Sequence, residues 1–184
     1  SEFNIMIDLG CRCRNIKDTK YLFEMFKEHN YYFIEEPFKR NFMYYKILEK
    51  IKTKINIAGG EHINNIQQFY KWNKKRYFNF FQPDTNLMLF SEINLMINKI
   101  GFEKIILHNW CNKINFLSNI NFAFSLKKKI LIEKNIIPNP YDYFFDTKKR
   151  VVKNGKIDFK DVMGYGLSIK NSKKQNLEIY EKKL

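Results

Sequence analysis

Apolar residues in this chain come in short runs, each closing on or just beside an ionisable side chain, and the runs recur. They span 3–8, 31–37, 55–61, 77–84, 104–108 and 129–133, and the ionisable residues are Asp8, Glu35, Glu61, Asp84, His108 and Glu133. Isoleucine, phenylalanine and tyrosine dominate them, the composition of strands. Helix-period segments lie between. Leu22, Met25, Phe26 and His29 share a face behind a capping candidate, Asn15. Tyr44, Ile47, Leu48 and Ile51 repeat the pattern, as do Ile66, Phe69 and Tyr70 behind Asn64 or Asn65. Ile93, Met96, Ile97 and Ile100 follow Ser91-Glu92 and stop at Gly101. A weaker helical pattern covers 115–125.

The ionisable residues recur every 23 to 27 positions. That is the length of one βα unit, and regular alternation predicts a parallel sheet with right-handed crossovers. The expected fold class is α/β, an incomplete (β/α) TIM-type barrel of about six βα units. A closed barrel of this type takes about 250 residues, so two strands are expected upstream and the chain reads as a fragment. An unclosed sheet exposes strand edges, which predicts association. The pattern changes after 138. Asn154-Gly155 between two short β-like runs signals a hairpin, Gly164-Tyr165-Gly166-Leu167 a turn, and a lysine-rich tail follows. The expected domains are therefore 1–138, barrel, and 139–184, a separate C-terminal segment.

Composition narrows the class. The chain has 184 residues, 45% hydrophobic, enough for one ordinary domain. No apolar run reaches the roughly 18 residues of a membrane span, and no signal-peptide pattern opens the sequence. Three cysteines are too few for a disulfide framework, which favours a reducing, cytoplasmic setting. Cys11, Cys13, His108 and Cys111 offer a zinc-binding combination, although C-x-C with H-x-x-C is not a common zinc pattern. Lys and Arg total 33 against 19 Asp and Glu, a formal charge of +14. Such an excess can mark a nucleic-acid-binding module, the alternative from a different class. The lysines are spread along the chain, and Lys, Asn, Ile, Phe and Tyr are all abundant, as AT-rich coding DNA produces. Composition thus accounts for the charge without a nucleic-acid partner.

The strand-end residues carry chemistry. Asp8, Glu35 and Glu61, on three successive strands, offer oxygen ligands of the kind Mg²⁺ accepts alongside water and substrate. Asp84 and His108 follow on the next two strands, and a carboxylate beside an imidazole makes a general base. Glu133 stands on the sixth strand. In a (β/α) barrel all six would surround one mouth.

Phe33-Ile34-Glu35-Glu36-Pro37, Ile57-Ala58-Gly59-Gly60-Glu61, Gln82-Pro83-Asp84 and His108-Asn109-Trp110, in this order, resemble the barrel domain of the enolase superfamily. The resemblance is closest to the mandelate racemase-like subgroup with its acid-sugar dehydratases. It implies Mg²⁺ ligation by Asp8, Glu35 and Glu61, an Asp84–His108 dyad acting on substrate, and a protonated Glu133 bonded to a substrate oxygen. The implied reaction abstracts the proton α to a carboxylate, giving an enediolate that Mg²⁺ stabilises. Loss of a β-hydroxyl would give a 2-keto-3-deoxy acid; the alternative is a racemase or epimerase of 2-hydroxy acids. The implied partner is a small acid sugar, with the full-length protein a homo-oligomer.

The chain departs from the family pattern at several points. Gly10 stands where many relatives carry Asn, and Cys11-Arg12-Cys13 follows. The family's second-strand base and its amino-terminal capping domain have no counterpart in the sequence. Arg12 or Arg14 could meet a substrate carboxylate, His62 could touch substrate, and Trp110 could wall the pocket.

Overall fold

The computed structural model describes residues 4–29, 31–51, 54–147, 152–157 and 164–170. The chain divides into two compact units, Ser1–His108 and Asn109–Leu184.

The first unit alternates strand and helix throughout. Its elements are β1 (Ile5–Asp8), α1 (Ile16–Lys27), β2 (Tyr31–Glu35), α2 (Phe42–Ile51), β3 (Ile57–Gly59), α3 (Ile66–Lys75), β4 (Phe80–Phe81), α4 (Phe90–Ile100) and β5 (Ile106–Leu107). Four strands form one sheet in the order β1-β2-β3-β4, each parallel to its neighbour. A parallel bridge from Phe81 to Ile105 carries the alignment to the threshold of β5. Every strand therefore ends on the same edge, the one that carries the ionisable residues.

The inner strands β2 and β3 are buried on both faces, as parallel strands require, whereas the edge strand β1 is largely exposed. Consecutive strand residues point to opposite faces. Ile34 joins a core of Cys13, Phe23, Phe38, Tyr45, Ile51, Ile57 and Tyr77, while Phe33 packs with Ala58 and Ile106.

The helices start where their caps dictate. Asn15 accepts from the Asp18 N–H, and Asn65, rather than Asn64, accepts from the Gln68 N–H. The face of α1 is rotated from the sequence expectation. Phe23 and Thr19 are buried, whereas Met25 lies 47% exposed. Helix α4 begins at Phe90, and the Glu92 carboxylate accepts from the Leu89 N–H at 3.3 Å to close its first turn. It stops at Gly101, whose φ of 91° suits glycine.

The second unit holds α5 (Lys113–Ser125), β6 (Leu131–Ile132), β7 (Phe145–Thr147), β8 (Val152–Lys153), β9 (Lys156–Ile157) and β10 (Leu167–Ile169). Helix α5 is capped by Asn112 and buries residues on most of its circumference, including Asn115, Leu117, Ser118, Ile120, Phe122 and Ala123. An all-round buried helix has a weak amphipathic period, which explains its faint signal in the sequence. Strands β8 and β9 form the expected hairpin, with Asn154 and Gly155 at φ 50° and 68°. Strands β7 and β10 pair antiparallel. The lysine-rich tail lies outside the described residues. Among the described residues, no helix is long and apolar enough to cross a membrane.

Candidate active site

The ionisable residues of the first unit stand at the carboxyl ends of its parallel strands. Asp8 and Glu35 are the last residues of β1 and β2 and are register partners. Glu61 follows β3 by two residues, Asp84 follows β4 by three, and His108 follows β5 directly.

The candidate acid–base groups are in contact. Asp84 Oδ2 lies 2.9 Å from His108 Nδ1, and Glu61 Oε2 lies 3.0 Å from His108 Nε2. Asp84 is buried and its side chain is fixed by the Asn86 N–H, which donates to Oδ1 at 2.7 Å. The backbone positions the imidazole as well: the His108 N–H donates to the Pro83 carbonyl at 3.1 Å. Both ring nitrogens thus face carboxylate oxygens, which accept and do not donate when ionised, so the arrangement suits a doubly protonated imidazolium. Burial pushes the Glu61 carboxyl up, but the hydrogen bond and charge of His108, with the charge of Arg40, outweigh it and hold Glu61 below the usual carboxylate range.

Glu61 has two further partners. Arg40 Nη2 sits 2.8 Å from its Oε1, and His62 Nε2 pairs with the same oxygen. His62 thus contacts the carboxylate of the residue it follows in the chain. Arg40, on the loop between β2 and α2, has no motif to mark it, although it is one of five arginines in a lysine-rich chain.

A buried support lies beneath these groups. Glu36 adopts a left-handed φ of 37°, which turns its carboxylate into the protein. There Oε1 accepts from the Gly60 N–H at 2.7 Å and Oε2 from the Tyr45 hydroxyl at 3.0 Å. Burial raises the Glu36 carboxyl despite these two bonds. The Gly59-Gly60 pair is required by space and conformation. A Cβ on Gly59 would lie 2.6 Å from the Phe78 ring and 3.1 Å from Glu36 Oε1, and Gly60 has φ 101°. The carboxylate of Glu36 therefore ties down the turn that presents Glu61. Sequence reasoning missed Glu36 and Tyr45, since nothing in Glu35-Glu36 tells which carboxylate turns inward.

The residues around Asp8 are arranged differently. Asp8 is exposed, and its Oδ1 accepts from the Gly10 N–H at 2.7 Å. Gly10, at φ 52°, makes that turn. The N–H groups of Leu9, Cys11 and Cys13 then donate to the carbonyls of Glu35, Glu36 and Pro37, extending the pairing beyond β2. This alternation sends Cys13 into the core and leaves Arg12 and Arg14 in solvent. Burial, with the nearby Glu36 charge, pushes the Cys11 thiol up to about 11.

Asp8, Glu35 and Glu61 offer only oxygen donors, the chemistry a hard divalent cation requires, and in that respect the residues fit Mg²⁺. Among the described residues, however, no group of three His, Cys, Asp or Glu side chains converges closely enough to hold an ion. Asp8 is turned onto Gly10, and the oxygens of Glu61 are engaged by Arg40, His62 and His108. Within the first unit the zinc combination is already lost: Cys13 is buried in the core, and both His108 nitrogens face carboxylates.

In the second unit, Glu133 Oε2 accepts from the Asn109 N–H at 3.2 Å. Asn109 is buried, and its side-chain oxygen accepts from Asn115 Nδ2 at 3.3 Å. Trp110 is 65% exposed, contrary to a packing role.

Solved structures share this architecture. The crystal structure of the 3,6-anhydro-D-galactonate cycloisomerase from Zobellia galactanivorans is 19% identical, with a TM-score of 0.79 over 97% of this chain and 50% of that one. A mandelate racemase/muconate lactonizing enzyme-like protein from Rubrobacter xylanophilus DSM 9941 is 18% identical, with a TM-score of 0.76 over 93% of this chain and 44% of that one. A member of the enolase superfamily from Polaromonas sp. JS666 is 20% identical, with a TM-score of 0.77 over 95% and 47% of the two chains. The chain thus spans about half the length of these structures, as an incomplete (β/α) barrel does. No curated protein matches the chain in sequence. A family model described as enolase C-terminal domain-like matches residues 1–173, and the chain belongs to that family.

Proposed function

We propose that this chain is the carboxyl-terminal part of the barrel of an enzyme that abstracts the proton α to a carboxylate, and that its reaction is dehydration of an acid sugar, an aldonate or aldarate. The observation that carries this reading is the part-buried Asp84–His108 pair, with Glu61 on the second imidazole nitrogen, at the carboxyl edge of a parallel sheet. The barrel part would run over 1–138, and 139–184 would return to a capping domain.

His108 is the acid–base group. Asp84 holds Nδ1, which fixes the ring and stabilises its protonated form. Once released from Glu61 and with its proton lost to solvent, the neutral ring's Nε2 takes the proton from the α-carbon. The electron pair moves into the carboxylate to give an enediolate. The pair then returns to expel the β-hydroxyl, which leaves with the proton His108 carries, as water. The enol product tautomerises to a 2-keto-3-deoxy acid. Asp8, Glu35 and Glu61 would hold Mg²⁺, which when bound supplies positive charge near the developing oxyanion. Glu133, if protonated, donates to a substrate oxygen, while Arg12 and Trp110 stand as outer candidates for substrate contact. The setting proposed is cytoplasmic and the intact protein a homo-oligomer.

A panel of acid sugars with Mg²⁺ tests the reading in the intact protein, with 2-keto-3-deoxy acid as the product measured. Water loss that disappears in Glu35→Gln supports it; unchanged turnover in that variant contradicts it. Racemisation or epimerisation uses the same dyad and would appear as deuterium in unreacted substrate without loss of water.

A further inference from the structure

Among the strand-end carboxylates, Glu61 meets a guanidinium: Arg40 Nη2 stands 2.8 Å from its Oε1. Arg40 reaches it from the β2–α2 loop, across a cleft of about 390 Å³ lined by Gly10, Cys11, Lys39, Arg40 and Glu61. Its charge is felt widely there, favouring the ionised forms of Glu61, Glu36 and Cys11 alike. The pair is also accessible, with side-chain exposures of 42% for Arg40 and 20% for Glu61. A guanidinium at this place offers a carboxylate much of what a metal ion offers, namely positive charge at hydrogen-bond distance, and the two cannot share one oxygen without mutual repulsion.

We infer that Arg40 is a built-in competitor of the divalent cation: it holds Glu61 when the ion is absent, must swing away when the ion binds, and so sets the affinity of the site. The inference rests on the reading of Glu61 as a metal ligand and adds a residue that the family's motifs do not mark. Arg40 would also keep the carboxylate edge from accumulating unpaired negative charge between turnovers. The half-exposed pair is of modest strength, so the effect on affinity is modest too. Lys39 lines the same cleft but is not paired with Glu61 in the ion pairs described, which makes it a control for charge alone.

Mn²⁺, an oxygen-seeking ion whose free form is read directly by electron paramagnetic resonance, is the probe, titrated into the intact protein. Arg40→Gln should bind Mn²⁺ about fivefold more tightly than the wild type. Arg40→Lys, which keeps the charge, should stay closer to the wild type than Arg40→Gln does, and Lys39→Gln should change affinity by less than about twofold. Equal or weaker binding by Arg40→Gln overturns the inference, as does equal tightening by Lys39→Gln. Glu61→Gln separates the two levels. If it weakens Mn²⁺ binding while Arg40→Gln has no effect, only the role of Arg40 falls. If Glu61→Gln leaves binding unchanged, Glu61 is not a ligand and the reading beneath falls with it.

Discussion

The two sides of the strand-end edge are built on opposite principles. On the β4–β5 side, an imidazole lies between two carboxylates and each group fixes the next: Asp84 to His108 at 2.9 Å, His108 to Glu61 at 3.0 Å. On the β1 side, Asp8 is exposed and turned onto its own loop. The strands place Asp8 and Glu35 opposite each other, but two like charges have no reason to converge. Opposite charges cross-link a site from within, whereas like charges need an outside cation to do so. The proposed acid–base side is therefore cross-linked by the protein's own charges, whereas on the proposed metal side Asp8 is turned onto its own loop, with Arg40 and Glu61 between the two.

The sharpest way to break this comparison is to remove the imidazole. His108→Asn in the intact protein should lower turnover by about 10²–10⁴-fold, measured as kcat on the best acid sugar. Asp84→Asn should act in the same direction by misorienting the ring, with a smaller loss of about 10–100-fold. Unchanged rates would mean that the assembled side is merely structural.

The next test compares two cysteines. Cys11 lies beside Glu36 in the Asp8 loop region, and its thiol is pushed up to about 11. A raised pKa leaves less thiolate at any pH below it, so alkylation of Cys11 near neutral pH should be about a hundredfold slower than for an ordinary exposed thiol. Exposed Cys111 should be labelled first. Prompt labelling of Cys11, located by peptide mass, would show the Glu36 pocket to be open.

The support beneath both halves gives a stability test. Tyr45→Phe removes one of the hydrogen bonds to the buried Glu36 carboxylate and should cost about 1–3 kcal/mol in urea unfolding. Gly59→Ala should cost a similar amount, about 1–3 kcal/mol, because the added Cβ meets Phe78.

The smallest effect is in pH dependence, where the two glutamates have opposite signs. The raised Glu36 carboxyl favours the folded state in its protonated form, so its contribution is present at low pH and is lost as pH rises through its folded value. The lowered Glu61 carboxyl contributes above the ordinary carboxylate range, and that contribution is lost as pH falls through its folded value. Glu36→Gln should therefore flatten the decline in stability on the rising side, and Glu61→Gln the decline on the acid side. The same slope in variant and wild type would reverse the assignment.

Much of this arrangement is legible in the sequence because it rests on local rules. Strands that end in, or within three residues of, Asp8, Glu35, Glu61, Asp84 and His108 must present them on one edge once the sheet is parallel. The caps at Asn15 and Asn65 and the stop at Gly101 follow from backbone hydrogen bonding and conformation. What escaped the sequence depends on tertiary contact. Arg40 gains its role only when the β2–α2 loop reaches Glu61, and Glu36 differs from Glu35 only by a backbone turn. The buried face of α1 shifted to Phe23 because packing, not periodicity, chooses among adjacent apolar residues. Asp8, Glu35 and Glu61 show in addition that carboxylates at matching places in successive βα units need not converge as a group.

The central claim is that His108, held by Asp84, moves the proton α to a carboxylate. The direct measurement is proton NMR of acid sugars incubated in D₂O with the intact wild-type protein and with His108→Asn. The account predicts that the wild type removes the α-proton, seen as deuterium in recovered substrate or as product formed with loss of that proton, and that His108→Asn does not. Removal of the α-proton at equal rates by both proteins, or turnover by the wild type with the α-proton retained, would contradict it.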